Sequence, residues 1–376
     1  MNIKSLLLGS AVAAVAATGA RAADAIIIAE PEPMEYVRIC DTYGVGYFYI
    51  PGTETCLRIG GMIRYDIGAD SRDDANGNNG WRKLLRAELK VWAKSETELG
   101  TLSSYIRLRS NTYSGFKNAF YDGIAIDADG NVVGNYYGGL DSGVFVQDAI
   151  IGLGGFELGL SDTLFDDELP NFEGEFTGAD RIHFMRYTFS GGNGFSATLA
   201  LEEADFDYDF VPNVVGKLAI NQGWGYINLY GAYDASWEEG AFKAVAGINV
   251  TDAVELGLIA TYETGHSFYS MQNDTAVFGS AFAGYEWSAG ASVKFKATDK
   301  LAFTVGGQYY GDAHGFTIDN GPLAGTYGGG DDWTIGTVVD YKIVDGFDTK
   351  LAVNYSDGDN YDDGVVHGFL RFDRSF

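Results

Sequence analysis

The sequence predicts an all-β protein, a 16-stranded antiparallel transmembrane β-barrel with short turns at one end and long loops at the other. Three observations carry this. Segments of about ten residues alternate apolar and polar side chains, the period of a strand whose two faces meet different surroundings. The connections between them alternate short and long. The composition, with 52 Gly, 24 Tyr and 24 Phe against 6 Pro in 376 residues, suits many strands.

Charge and aromatic content remove other classes. With 25 Lys+Arg against 52 Asp+Glu the formal charge is −27, which repels a polyanion and excludes nucleic acid as a partner. An aromatic share of 14% argues against disorder. Beyond the N-terminus no apolar run reaches the roughly 18 residues of a membrane helix.

Residues 1–22 read as a signal peptide: Lys4 gives a basic start, 6–17 an apolar stretch, and Ala20-Arg-Ala22 a cleavage pattern. The apolar stretch is too short to span a hydrocarbon core of roughly 30 Å. The protein is therefore expected to be exported, with 23–56 as an N-terminal periplasmic segment and 57–376 as the barrel. Cys40 and Cys56 flank a Tyr- and Gly-rich stretch. In an exported chain, pairing as one disulfide is the first reading and metal ligation the second, the latter lacking a nearby His.

The first strand, 57–67, puts Leu57, Ile59, Ile63, Tyr65 and Ile67 on one face and Arg58, Arg64 and Asp66 on the other. The second, 81–94, sets Leu85, Ala87, Leu89, Val91 and Ala93 against Arg86, Glu88, Lys90 and Lys94. The third, 101–110, opposes Ile106 and Leu108 to Tyr105, Arg107 and Arg109. Further strands follow near 143–153, 156–160, 181–189, 195–202, 213–220, 224–233, 241–250 and 254–263. The last five lie near 286–296, 301–310, 332–343, 347–355 and 365–376, making sixteen. Short connections fall at 95–100, 154–155, 190–194, 221–223, 251–253, 297–300 and 344–346. The long ones, such as 68–80, 110–142, 161–180, 264–285 and 311–331, are rich in Asp, Asn and Gly.

Lipid offers no hydrogen-bond partners, so the sheet must close on itself. Sixteen strands enclose a lumen too wide for wall side chains to fill, and it must hold water. The last strand carries Val366, Gly368, Leu370 and Phe372 on one face and ends on Phe376 in the same register. Such a terminal aromatic resembles the signal read by outer-membrane barrel assembly machinery. Arg374 departs from the alternation, which fits a position near the membrane interface where a long basic side chain can reach the head groups. Tyr65, Trp81, Tyr187, Phe195, Trp224, Tyr233, Trp333, Tyr355 and Phe372, at strand ends, suit interfacial girdles.

Met1-Asn-Ile-Lys-Ser-Leu-Leu-Leu-Gly-Ser10, Glu30-Pro-Glu-Pro33, Glu35-Tyr-Val-Arg38 and Tyr47-Phe-Tyr-Ile-Pro-Gly-Thr-Glu-Thr-Cys56 resemble the start of alphaproteobacterial porins. The likeness continues through Ser95-Glu-Thr-Glu-Leu-Gly-Thr101, Thr188-Phe-Ser-Gly-Gly-Asn-Gly-Phe-Ser-Ala197 and Arg371-Phe-Asp-Arg-Ser-Phe376. It implies a homotrimeric, 16-stranded general-diffusion porin of a Gram-negative outer membrane, passing small hydrophilic solutes and ions without a cofactor. It also implies that the third long loop, 161–180, folds into the lumen.

That loop carries Asp162, Asp166, Asp167, Glu168, Glu173, Glu175 and Asp180 and no base, with Phe165, Leu169, Phe172 and Phe176 available to pack on the wall. Strand alternation puts Arg58, Arg64, Arg86, Arg107, Arg109 and Arg186 on lumenal faces. The two sets are expected to oppose one another across a constriction comparable with the roughly 8 Å Debye length, creating a transverse field. The acidic balance predicts a net cation preference. The bland alternative is a solvated polar lumen with charges paired at random.

Rivals from other classes remain definable. An enzyme would need an activated nucleophile, yet His183, His266, His314 and His367 accompany no Gly-x-Ser-x-Gly elbow, and no catalytic residue is assigned. A structural or adhesive barrel would have a plugged lumen. A solute-specific channel would show a saturable site, with Tyr105 and Phe184 candidates to line its path.

Overall fold

The computed structural model describes residues 38–71, 81–115, 124–126, 132–135, 143–173, 175–177, 181–203, 211–273, 283–317, 324–327, 329–361 and 363–376. The leader expected at 1–22, the motifs at 30–37, Asp180 and the side chain of Glu175 lie outside them. The unit Ile39–Phe376 is compact.

Sixteen strands form its wall: β1 (Cys56–Asp70), β2 (Trp81–Thr97), β3 (Gly100–Gly115), β4 (Phe145–Leu153), β5 (Phe156–Asp162), β6 (Arg181–Gly192), β7 (Phe195–Glu203) and β8 (Asn213–Gln222), then β9 (Gly225–Asp234), β10 (Glu239–Asn249), β11 (Val254–Glu263), β12 (Ala283–Lys296), β13 (Leu301–Thr317), β14 (Asp332–Val344), β15 (Phe347–Gly358) and β16 (Val365–Ser375). Each pairs antiparallel with the next, and β1 pairs with β16 from Met62↔Ser375 to Asp70↔His367, so the sheet is closed. Phe376 extends the seam: its N–H donates to the Gly61 carbonyl at 3.1 Å and its carbonyl accepts from the Gly61 N–H at 3.0 Å.

The expected strands all occur, and the differences fall mainly at the long-loop end. There β3 runs to Gly115 and β13 to Thr317, well past the predicted 110 and 310. The ladder continues where both faces leave the membrane, so alternation fades before the hydrogen bonds do. At the short-turn end, Asn193 and Gly194 join β6 to β7 with φ of 50° and 73°, the two left-handed residues of a tight hairpin.

The burial pattern inverts that of a soluble protein. Ile59, Leu89, Ile106, Leu199, Val305 and Ile335 stand exposed on the outside, while Glu88, Ser292, Thr304 and Gln308 are buried within. A register shift between Arg107 and Leu108 leaves Gln147 as an extra residue in β4. That bulge brings two consecutive side chains, Gln147 and Asp148, into buried positions.

Cys40 and Cys56 are joined in a disulfide, with their Cα atoms 6.0 Å apart. It pins a small hairpin in which Phe48–Tyr49 pairs with Leu57 and Cys56 of β1. Tyr47 is buried there, 5.6 Å from the Arg58 guanidinium and 5.8 Å from the Lys94 ammonium.

Candidate functional site

After β5 the chain turns into the barrel. The Thr163 hydroxyl and the Leu164 N–H donate to the buried Glu202 carboxylate of β7, at 2.6 and 2.8 Å. The Phe165 ring packs edge-on against Tyr230 and Tyr269. The Lys243 ammonium lies 4.4 Å over Phe165 and donates to the carbonyls of Phe165 and Asp167, at 2.8 and 2.9 Å. Leu169 and Phe172 join Val215, Val245 and Ile259 in one apolar cluster. Burying these side chains against the inner wall supplies the force that folds the loop inward.

The loop's far end is tied to the opposite wall. Asn171, at φ 63°, a conformation Asn tolerates, donates to Glu255 at 3.1 Å and accepts from Lys294 at 3.2 Å. The Glu173 carboxylate pairs with Lys350 of β15 and lies 3.9 Å from Arg371 of β16. Its carbonyl accepts from Asn354 at 2.5 Å. Residues 163–173 therefore cross the lumen from β7 to β16.

A second inward segment follows β11, where the sequence indicated only a long loop. Phe268 N–H donates to Asp234 at 2.7 Å, the Tyr269 hydroxyl to Glu202 at 3.0 Å, and Met271 N–H to Glu263 at 2.9 Å. Met271–Asn273 then pairs antiparallel with Glu175–Thr177 of the first loop. Glu202 thus holds both inward segments at once.

The six arginines singled out from the sequence all stand on the inner wall, but most pair along it. Arg64 forms a two-pronged pair with Asp373, at 2.8 and 3.0 Å. Arg109 meets Glu88 at 2.7 Å and Arg186 meets Glu157 at 2.7 Å. Arg107 pairs with Asp148 at 2.6 Å and reaches Asp162 at 3.3 Å. Arg86 donates to the Asn111 side-chain oxygen at 3.0 Å. Arg58 sits 4.0 Å over the Trp92 ring, at the disulfide hairpin rather than beside the loop.

Among the loop acids, Asp162 touches Arg107, Asp167 accepts from Asn228 and Tyr230 at 2.9 and 2.6 Å, and Glu173 binds the β15–β16 wall. Asp166 and Glu168 are exposed to the lumen. Among the described residues, direct ion pairing between the two predicted sets is confined to Asp162 and Arg107. The sequence reading missed the partners: Asp148, Glu157 and Asp373 for the arginines, and Lys243, Lys350 and Arg371 for the loop. Parity along β15 and β16 would have found Lys350 and Arg371.

Glu168 is wetted yet enclosed by the barrel, and its carboxyl is pushed up to about 7. Desolvation is the first cause, followed by the charges of Asp166 and Glu173. The arrangement can screen solutes by size and charge; among the described residues no cluster of three or more ligating side chains could hold a metal.

Known proteins resemble the chain throughout. The sequence pattern of the porin subfamily matches residues 24–370. The chain is 40% identical to Porin Omp2a of Brucella melitensis biotype 1 over 400 aligned residues, covering 100% of both chains. It is 38% identical to Porin Omp2b of Brucella suis biovar 1, again over 100% of each. Among solved structures, the outer membrane channel DcaP of Acinetobacter baumannii superposes with a TM-score of 0.59 at 12% identity, over 87% of this chain and 99% of that one. The anion-selective porin from Comamonas acidovorans does so with 0.55 at 10%, over 86% and 100%. These two likenesses bear on the fold alone. The sequence matches run the length of the barrel, and the chain belongs to the porin subfamily: it is an outer-membrane porin channel of a Gram-negative bacterium.

Proposed function

We propose that this porin is a passive-diffusion channel for small hydrophilic solutes and ions, narrowed by residues 163–173 against the wall formed by β16 and β1–β6. The observation that carries the reading is the loop's attachment at both ends, to Glu202 on one wall and to Lys350 on the other. On the remaining side Arg64, Arg86 and Arg109 are partly exposed inside the barrel, as side chains lining a water-filled lumen should be. Asp166 and Glu168 face that space and give the narrowing an acidic side.

Because most arginines are neutralised along the wall, the field across the gap is set by the exposed loop acids and by Arg86, and a cation preference follows. The leader at 1–22, a periplasmic segment at 23–56, a barrel over 57–376, recognition of Phe372 and Phe376 by assembly machinery, contact with lipopolysaccharide and assembly as a homotrimer complete the reading. Trimers rest on the family resemblance.

The test is conductance of purified, folded protein in a planar bilayer under a KCl gradient. Openings in threes with a reversal potential on the cation side are expected. An anion-side potential would transfer control to the arginine wall, and silence from folded protein would leave a structural barrel.

A further inference from the structure

On the short-turn side of the inward loop the inner wall of β5–β9 holds a recess of about 610 Å3. Its existence follows from side-chain size: Ser196, Ala219 and Gly194 line it between the long side chains of Arg186, Lys217 and Tyr226. Leu164, at the base of the inward loop, lines it as well. That volume is ample for a small organic molecule together with its water.

Two cations face it with donors to spare. Lys217 lies 4.9 Å over the Tyr230 ring, and among the described residues no carboxylate stands within ion-pair distance of it. Arg186 uses its Nε toward Glu157, the carboxylate that also lines the recess, and rests on the Phe184 ring, leaving the terminal N–H groups of its fork without a hydrogen-bond partner among the described residues. Between them, Thr188 and Thr198 share one hydrogen bond at 3.0 Å. One hydroxyl of that pair donates to the other, so the second keeps its proton for an outside acceptor. Asp167, the nearby acid of the loop, is already held by Asn228 and Tyr230.

We propose that this recess is a binding subsite for small organic carboxylates, with Lys217 as the anchoring charge, the Arg186 fork as the planar partner and the threonine pair as a neutral donor. A planar fork beside a point charge suits a carboxylate, and hydroxyls satisfy its remaining lone pairs. The site rests on the channel reading above and gives it a chemical class of solute: dicarboxylates small enough to pass the narrowing would pause here in transit.

Succinate tests it, titrated at constant ionic strength against the KCl current of single channels in a planar bilayer. Wild-type protein should show saturable block. Lys217→Gln should raise the half-blocking concentration about tenfold, the loss of one charge-assisted hydrogen bond. Lys217→Arg should retain most of the block, and Lys300→Gln, at an exposed turn, should leave it unchanged. Open channels without saturable block, block indifferent to Lys217→Gln, or stronger block by inorganic phosphate than by succinate would each overturn the assignment. Wild-type protein that never opens would instead overturn the channel reading on which it rests.

Discussion

Arg64 and Arg86 stand directly opposite one another across β1 and β2, both inside the barrel. Like charges in that position oppose strand pairing. Arg64 is compensated by Asp373, whereas Arg86 has the neutral Asn111 side chain as its hydrogen-bond partner. Arg86 therefore keeps, on the lumenal face, a charge that no carboxylate among the described residues hydrogen-bonds directly. Arg86→Gln is expected to shift the reversal potential toward cations without lowering the midpoint of heat unfolding, read by bilayer recording and circular dichroism.

Glu173 fastens the loop tip through Lys350, Arg371 and Asn354. Glu173→Gln removes the charge-assisted part, worth about 2 kcal/mol, and leaves the barrel intact. Larger and noisier single-channel currents are expected. A current trace identical to wild type would mean that the apolar cluster alone sets the loop.

Glu202 is 1% exposed and accepts from Thr163, Leu164 and Tyr269. Glu202→Ala strands three donors in a buried site, at a cost of about 3 kcal/mol or more. Because the donors belong to both inward segments, loss of native loop structure should appear in both. Amide exchange at Leu164 and Met271 accelerating together is the outcome to look for.

The Glu168 carboxyl, raised to about 7 by desolvation and then by Asp166 and Glu173, titrates in the physiological range. Below that pH it carries a proton and the narrowing loses one negative charge; above it the charge returns. Cation selectivity should therefore rise between pH 6 and pH 8, with an inflection near 7. Glu168→Gln should flatten that step while channels continue to open.

The disulfide closes a loop with a sequence separation of 16. In the chain-entropy account such a bond contributes about 3 kcal/mol, but it acts on the hairpin around Tyr47, outside the barrel's own closure. The paired substitution Cys40→Ser with Cys56→Ser should speed amide exchange at Tyr47 and Phe48 and leave the central rows of β6–β12 unchanged. Equal loss of protection throughout would tie barrel stability to the hairpin.

Strand count, order and the inner position of each arginine were legible because lipid outside and water inside impose a strict period of two. That rule fails on β7–β11, where the inner row contains Ala200, Val215, Ala232, Ala241, Val245 and Ile259. The inward loop covers this row, so it is apolar for the same reason as a soluble core, and patterning no longer tells inside from outside there. Lys243 was hidden in that row. The bulge at Gln147, which brings Asp148 to Arg107, leaves no mark in the alternation, since one inserted residue only shifts its phase. Asp162 and Glu173 were identifiable as acids of an inward loop, but their partners depend on where the loop ends, which distant contacts decide.

The seam at Phe376 has a kinetic meaning. Arg64 and Asp373 are 309 residues apart, so the contact that closes the barrel is among the last that chain entropy permits. Until the final residue is delivered, β1 carries an open edge of donors and acceptors ready to pair with any strand that arrives. Partial chains gain no partial pore, and a chain cut short by even the terminal strand would present two sticky edges instead of none. Closure is therefore the step that turns an edge-bearing sheet into one with no edge.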